Sequence, residues 1–345
     1  MLPQNDAVRK LLRVKPWHDA GYRGKGNIVI LDGPEGKPRA GMQPYLTDVF
    51  GTATESGHAS NVAQVIHEFA PDAHIYYLDS TRNKDAVFEW VKANKDRLKI
   101  KFINVSQAGL RGMETPDFLR YAALGLILVC ASGNDDSEEW ISYPARYTAP
   151  NFIAVGSATR DGNGIAGYSN EGEGLDVVVP SGVYIQREDG YVWPVDGTSF
   201  SSPTVTAMLH VYAEYLEDAG LPDMTPAEVE AFAHGVALDI LTKGYDIRSG
   251  YGLLVMPETV PVTIPEVKEV PPLTAEPKKL YHVLSTPYLK QDEAQAKADA
   301  LRAKGITTYL VHSLQFGAFG VEGNAVNQQN NLLENEEVDT YIAQY

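Results

Sequence analysis

The chain reads as an α/β protein: a three-layer α/β/α domain with a mostly parallel sheet, followed by a small C-terminal α+β domain. Three observations predict this. Short apolar runs alternate with segments of helical period, and strand followed by helix, repeated, gives a parallel sheet covered on both faces. The runs are continuously apolar, as strands buried on both sides are, and do not alternate in and out. The composition then changes after Met256, where prolines begin to recur.

Residues 1–16 form an N-terminal arm in which Val8, Leu11, Leu12 and Val14 have the spacing of a short helix, with Trp17 following. Asn27-Ile28-Val29-Ile30-Leu31-Asp32 is the first buried strand, closed by an aspartate before Gly33-Pro34. Gly21, Gly24 and Gly26 precede that strand instead of following it, which excludes a dinucleotide-binding loop. Gly57-His58 opens a helix to Phe69, with Val62, Val65, Ile66 and Phe69 on one face. Strands are expected at 73–79, 102–106, 126–131, 152–156 and 175–180, and helices at 85–98 and 117–124. Asp196 to Pro203 is a turn into a helix from Thr204, with Pro203 in its first turn, where a missing N–H is tolerated. Thr225-Pro226-Ala227-Glu228 is a capping box opening a helix to about Leu238. The main body therefore spans 17–256. Residues 257–279 read as a Pro-rich linker and 280–345 as the α+β unit, with strands at 280–284 and 307–311, an Ala-rich helix at 291–304 and a polar helical tail at 328–345.

Composition narrows the function classes. The 345 residues are 44% hydrophobic and 10% aromatic, ordinary for a folded soluble protein. No apolar run is long enough to cross a bilayer, and the first residues lack the basic and apolar regions of a signal peptide, so a cytoplasmic location is expected. The single cysteine, Cys130, excludes an internal disulfide framework and reads as a small core residue. The formal charge of −16 argues against nucleic acid and acidic membranes as partners.

Three polar positions stand where chemistry is placed in such folds. Asp32 ends a parallel strand, His58 begins a helix, and Ser199 lies just before a helix, where free N–H groups favour developing negative charge. Taken alone, Ser199, Ser201 and Ser202 read equally well as helix caps. A serine hydroxyl becomes a useful nucleophile when an imidazole takes its proton and a carboxylate fixes that imidazole. Of the eight histidines only His58 directly follows a glycine and opens an amphipathic segment, whereas His67, His210 and His234 fall inside helical patterns. The order Asp, His, Ser and the lack of Gly-x-Ser-x-Gly exclude an α/β-hydrolase.

Over roughly residues 15–255 the chain resembles the subtilisin-like serine proteases. The matching stretches are Ile28 to Asp32, Gly57-His58-Ala59-Ser60-Asn61-Val62-Ala63, Ile103-Asn104-Val105-Ser106, Ala131-Ser132-Gly133-Asn134, Tyr143-Pro144-Ala145, Ile153 to Gly156 and Gly197-Thr198-Ser199-Phe200-Ser201-Ser202-Pro203. The resemblance implies Asp32 as orienter, His58 as general base and acid, Ser199 as nucleophile and Asn134 as side-chain oxyanion donor. It also implies that the backbone at Ser106, Gln107 and Ala108 and at Ala131, Ser132 and Gly133 walls the pocket for the residue before the scissile bond. The expected substrate is a protein or peptide, with no cofactor. The motif carries Ala59, Ser60 and Asn61 where the family usually has Gly, Thr and His. The insertion that builds the family's tight calcium site is absent before residue 73, so no metal is expected unless a loop around Asp161 and Asn163 replaces it. Only Ser80 to Asn83 precede the next helix, a reduced edge for pairing with substrate.

The resemblance further suggests a non-secreted type without the usual prodomain, in which Leu2-Pro3 resembles the short prosegment of intracellular subtilisins and the arm restrains the cleft. A dedicated maturation protease is one expectation, and a protease-like binding module with little turnover is the alternative. The C-terminal unit is faintly similar to sporulation-related repeats, which implies docking on cell-wall glycan; read without that resemblance, it is a module that docks on a protein partner or on the protease domain itself.

Overall fold

The computed structural model describes residues 1–33, 42, 44–50, 57–81, 83–107, 117–187 and 189–260, with the backbone of 281–285 and 308–312. The chain divides into two compact units, Met1–Ile264 and Pro265–Tyr345.

Seven strands of the first unit form one sheet: β1 (Gly26–Asp32), β2 (Leu46–Asp48), β3 (Ala73–Asp79), β4 (Phe102–Val105), β5 (Ile127–Ala131), β6 (Phe152–Ala158) and β7 (Val177–Pro180). Their order is β2-β3-β1-β4-β5-β6-β7, with every pairing parallel. β4 to β7 are buried at every residue, which accounts for their largely apolar sequences, Asn104 and Ser157 being the buried polar exceptions. The chain leaves β1 toward β3 on one side and later adds β4 on the other. Beyond the C-terminal ends of strands at such a reversal, open parallel sheets keep their binding crevices. Asp32 ends β1 at this point, and Ser106 follows β4 beside it.

α3 (His58–Phe69) lies between β2 and β3 in the chain, and α4 (Lys84–Asn94) and α5 (Asp117–Ala122), which follow β3 and β4, pack on each other. α6 (Thr198–Asp218) packs against α3 and runs across β4, β5, β6 and β7. It begins at Thr198, earlier than the sequence suggests, and encloses Pro203. Its hydroxyl-rich start is buried yet satisfied: Ser201 Oγ lies 2.9 Å from Ser157 Oγ, and Ser202 and Thr206 each donate to Asn104 Oδ1 at 3.2 Å. α7 (Pro226–Val236) carries both halves of its capping box. An antiparallel hairpin, β8 (Val183–Gln186) and β9 (Val192–Val195), leads into the Ser199 turn.

The arm is not a separate piece laid over the cleft. Its helices α1 (Asp6–Leu11) and α2 (Val14–Asp19) bury Val8, Leu12, Val14 and Trp17 in the common core. Trp17 packs its ring on Tyr212 and Tyr215 of the far half of α6. Arg9 Nη1 meets Glu68 Oε2 at 2.6 Å, and the Leu2 N–H donates to both oxygens of the same carboxylate. Glu68 stands at the opposite end of α3 from His58, about 15 Å away along the helix axis. The body also continues past the expected linker start, because Trp17 Nε1 donates to Pro257 O at 3.0 Å and Met256 N donates to Leu12 O.

In the second unit β10 (Tyr281–Ser285) and β11 (Thr308–His312) pair in parallel, with Tyr281 opposite Thr308. Parallel neighbours need a crossover connection, and the chain between them is long enough to supply one. The expected helix at 291–304, the tail at 328–345 and residues 261–279 of the linker lie outside the described residues.

Candidate active site

β1 delivers Asp32 almost fully buried, at 3% exposure. Its Oδ2 accepts the His58 Nδ1–H at 2.8 Å, and its Oδ1 accepts the Gly33 N–H at 2.7 Å. An ionised carboxylate only accepts, so this contact puts the proton on Nδ1 and leaves Nε2 as the basic nitrogen. Gln107 Nε2 approaches Asp32 Oδ1 at 3.4 Å, while Gln107 Oε1 accepts from Ser80 Oγ at 3.1 Å. The Ser80 N–H also donates to Asp32 O at 2.9 Å. The short segment after β3 is thus engaged in holding the aspartate. The His58 ring lies 5.4 Å from that of Phe200, beside the residue that follows Ser199.

Ser199 is set by a proline and a glycine. Gly197 has φ 126, a conformation open chiefly to glycine, and turns the chain into α6. Pro203 has no N–H to give the carbonyl of Ser199 four residues earlier, and Ser106 Oγ donates to that carbonyl instead, at 2.7 Å. Ser199 Oγ donates to Ser106 O at 3.1 Å. Catalytic hydrogen bonds often tighten only with substrate bound. The Ser199 N–H lies in the first turn of α6, where helix geometry provides no acceptor.

Asn134 comes to the same turn from the loop after β5. Its Oδ1 accepts from Thr198 N at 2.8 Å and Thr198 Oγ1 at 3.0 Å. Two donors on one oxygen fix which way the amide faces, leaving Nδ2 as a donor. Asn134 Nδ2 and the Ser199 N–H therefore flank one turn and can stabilise an oxyanion. The β4–β5 register, Val105 opposite Cys130, places Ser106 and Gln107 beside Ala131 and Ser132, with Gly133 next in the loop. Ala108 lies outside the described residues.

Other ionisable groups are placed differently. Burial raises the Cys130 thiol well above its ordinary value and makes it a poor nucleophile. Burial lowers His67 and His210 to about 4, in keeping with packing roles. Asp176, Glu230 and His234 are a group among the described residues whose ligand atoms lie within 4.8 Å of one another. Asp176 precedes β7, the edge strand four places across the sheet from β1, and its Oδ1 is bonded to His234 Nε2 at 2.8 Å. A tight calcium loop does not fit the chain between α3 and β3, where Asp72, the one carboxylate, pairs with Arg23. The Asp161 carboxylate accepts from Thr159 Oγ1, Asn163 N and Asn163 Nδ2, which closes its own turn.

A seven-stranded parallel sheet with an aspartate, a histidine and a helix-start serine beyond the C-terminal ends of its central strands is the architecture of subtilisin-like serine hydrolases. The Subtilase family matches residues 47–252, and the chain belongs to that family. This span contains His58, Asn134 and Ser199, and Asp32 precedes it. Minor extracellular protease Epr of Bacillus subtilis (strain 168) is 26% identical over 275 residues, which are 70% of this chain and 40% of that protein. Subtilisin BL of Lederbergia lenta is 45% identical over 212 residues, 54% of this chain and 76% of that one. Among solved structures, a lanthipeptide protease has a TM-score of 0.56 at 16% identity, covering 73% of this chain and 94% of its own. The prenylagaramide maturation protease PagA has a TM-score of 0.54 at 19% identity, covering 65% and 88%.

Proposed function

We propose that this chain is a serine endopeptidase that cleaves peptide bonds through an acyl-enzyme. The observation that carries the proposal is the Asp32–His58 contact, formed beside a helix whose first turn holds Ser199. His58 Nε2 takes the hydroxyl proton as Ser199 Oγ attacks the scissile carbonyl. Asn134 Nδ2 and the Ser199 N–H receive the oxyanion, and His58 then protonates the leaving amine. Water repeats the cycle on the ester and restores the enzyme. The walls at Ser106 to Ala108 and Ala131 to Gly133 hold the residue before the cut. A protein or peptide fits the charge of −16 better than nucleic acid or an anionic membrane does. A dedicated role in precursor maturation is consistent with the short segment between β3 and α4, which offers little edge for general peptide pairing.

The test is covalent. A fluorophosphonate probe is expected to label the folded chain at Ser199 and to leave Ser199→Ala unlabelled, with cleavage of peptide substrates lost in parallel. Peptide cleavage surviving in Ser199→Ala removes the assignment, and a folded wild type that takes no label favours a binding module.

A further inference from the structure

Both sides of the proposed oxyanion hole are fastened to one tripeptide, Tyr168-Ser169-Asn170, which follows β6. Asn170 is fully buried. Its Oδ1 accepts the N–H of Asp135 at 2.8 Å and of Ser137 at 3.2 Å. Its Nδ2 donates to Ser132 O and to Asp135 Oδ2, each at 3.3 Å, and reaches Ser142 Oγ at 3.5 Å. Its own N–H donates to Gly133 O at 3.1 Å, and its carbonyl accepts from Ser132 Oγ at 3.3 Å. Asn134 lies between the residues so tied. Gly133 shows how close the fit is: with φ 110, a Cβ there would stand 2.3 Å from Asn170 Nδ2.

Tyr168 holds the other side. Its hydroxyl accepts the Gly197 N–H at 3.0 Å, at the turn that presents Ser199, and also bonds to Ser181. Its carbonyl accepts the Asp136 N–H at 3.1 Å. Ser169 Oγ accepts the Ser157 N–H at 2.9 Å and anchors the tripeptide to β6.

We infer that Tyr168 and Asn170 are positioning residues that set the spacing between Asn134 Nδ2 and the Ser199 N–H. The inference rests on the protease reading above. An oxyanion exists only after attack, so a brace for its donors acts on kcat more than on KM. Removing such a donor costs about 10²- to 10³-fold in kcat, a figure that comes from subtilisin's own asparagine. A residue acting through Asn134 costs at most that much, and nothing once Asn134 is gone.

The experiment is a double-mutant cycle in the full chain, reading kcat and KM on a peptide substrate for Asn134→Ala, Asn170→Ala and the double variant. Asn170→Ala is expected to lower kcat at least about ten-fold with KM changed less. The double variant is expected to be no slower than Asn134→Ala alone, and amide exchange at Asp135 and Ser137 is expected to quicken in Asn170→Ala. Tyr168→Phe keeps the ring and loses only the hydroxyl. It serves if Asn170→Ala fails to fold, with a lower kcat and a less changed KM expected because its hydroxyl holds the Gly197 N–H at the Ser199 turn. Multiplicative losses, or an unchanged kcat in either single variant, overturn the brace while leaving the protease reading intact. Wild type no faster than Ser199→Ala overturns the protease reading itself, and the brace with it.

Discussion

Pro203 shows how one missing donor shapes a site. Without its N–H the Ser199 carbonyl turns to Ser106 Oγ, and Ser106 O takes the Ser199 hydroxyl, so the candidate nucleophile is held to the end of β4 at two points. His210, two turns further along α6, has a different consequence. It is buried against the Gly26 backbone, with its ring edge-on to Phe102. Burial, reinforced by the charge of Lys101, lowers it from 6.5 to about 4. Between those two values the unfolded chain binds a proton that the folded chain refuses. Stability is therefore present above about pH 6.5, is lost as pH falls through this window, and changes no further from this cause below about 4. His67 shares the direction and the window. The expected outcome is a melting temperature that drops between pH 6.5 and 4, and drops less in His210→Gln. A wild type and variant with parallel pH profiles contradict this account.

At the scale of elements, the arm changes meaning once its contacts are known. Deleting residues 1–6 removes Leu2 and Asn5 from Glu68 and leaves a carboxylate at 5% exposure held by Arg9 alone. Stripping partners from a buried ionic group costs on the order of 3 kcal/mol. The deletion is expected to lower the melting temperature by several degrees without raising kcat on small peptides. A rise in kcat at unchanged stability restores a restraining role. The sequence could show Val8, Leu12 and Trp17 as apolar but not which surface they meet, because packing partners far along the chain leave no local pattern. The strands of the sheet were legible since burial on both faces favours nearly continuous apolar runs. β2 is three residues long, too short for such a run. The hairpin does carry a local signal, Asp189-Gly190 between Tyr184-Ile185 and Val192-Trp193. The start of α6 misled for a physical reason: hydroxyl residues favour caps and turns in isolation, but here Asn104, Ser157 and Val179 O satisfy them inside the fold. Asp32, His58, Asn134 and Ser199 were readable from short motifs. Tyr168 and Asn170 were not, nor were the side-chain bonds of Thr198 and Gln107, because each acts through hydrogen bonds to residues distant in sequence.

At the scale of the whole molecule, the question is what the second unit contributes to cleavage. Asp32, His58, Asn134 and Ser199 belong to Met1–Ile264, as do the hydrogen-bond partners described for them. The natural cut is set by the seam where the two ends of this unit meet. Leu253, Leu254, Val255 and Met256 are buried, Met256 N donates to Leu12 O, and Arg13 pairs with Glu258 at 3.1 Å. A chain ending after Val260 keeps this seam, whereas one ending at Gly250 loses the four buried residues, each worth about 1.5–3 kcal/mol if exposed. The longer truncation is expected to fold with a cooperative melt and to cleave small peptides within about two-fold of the full chain, a difference of less than 1 kcal/mol in the barrier. The shorter one is expected not to fold. On a protein substrate the longer truncation is expected to be slower than the full chain, because a unit outside the catalytic body can act by binding the target and raising its local concentration. If the chain ending after Val260 melts normally yet no longer cleaves small peptides, residues 265–345 take part in the catalytic architecture itself.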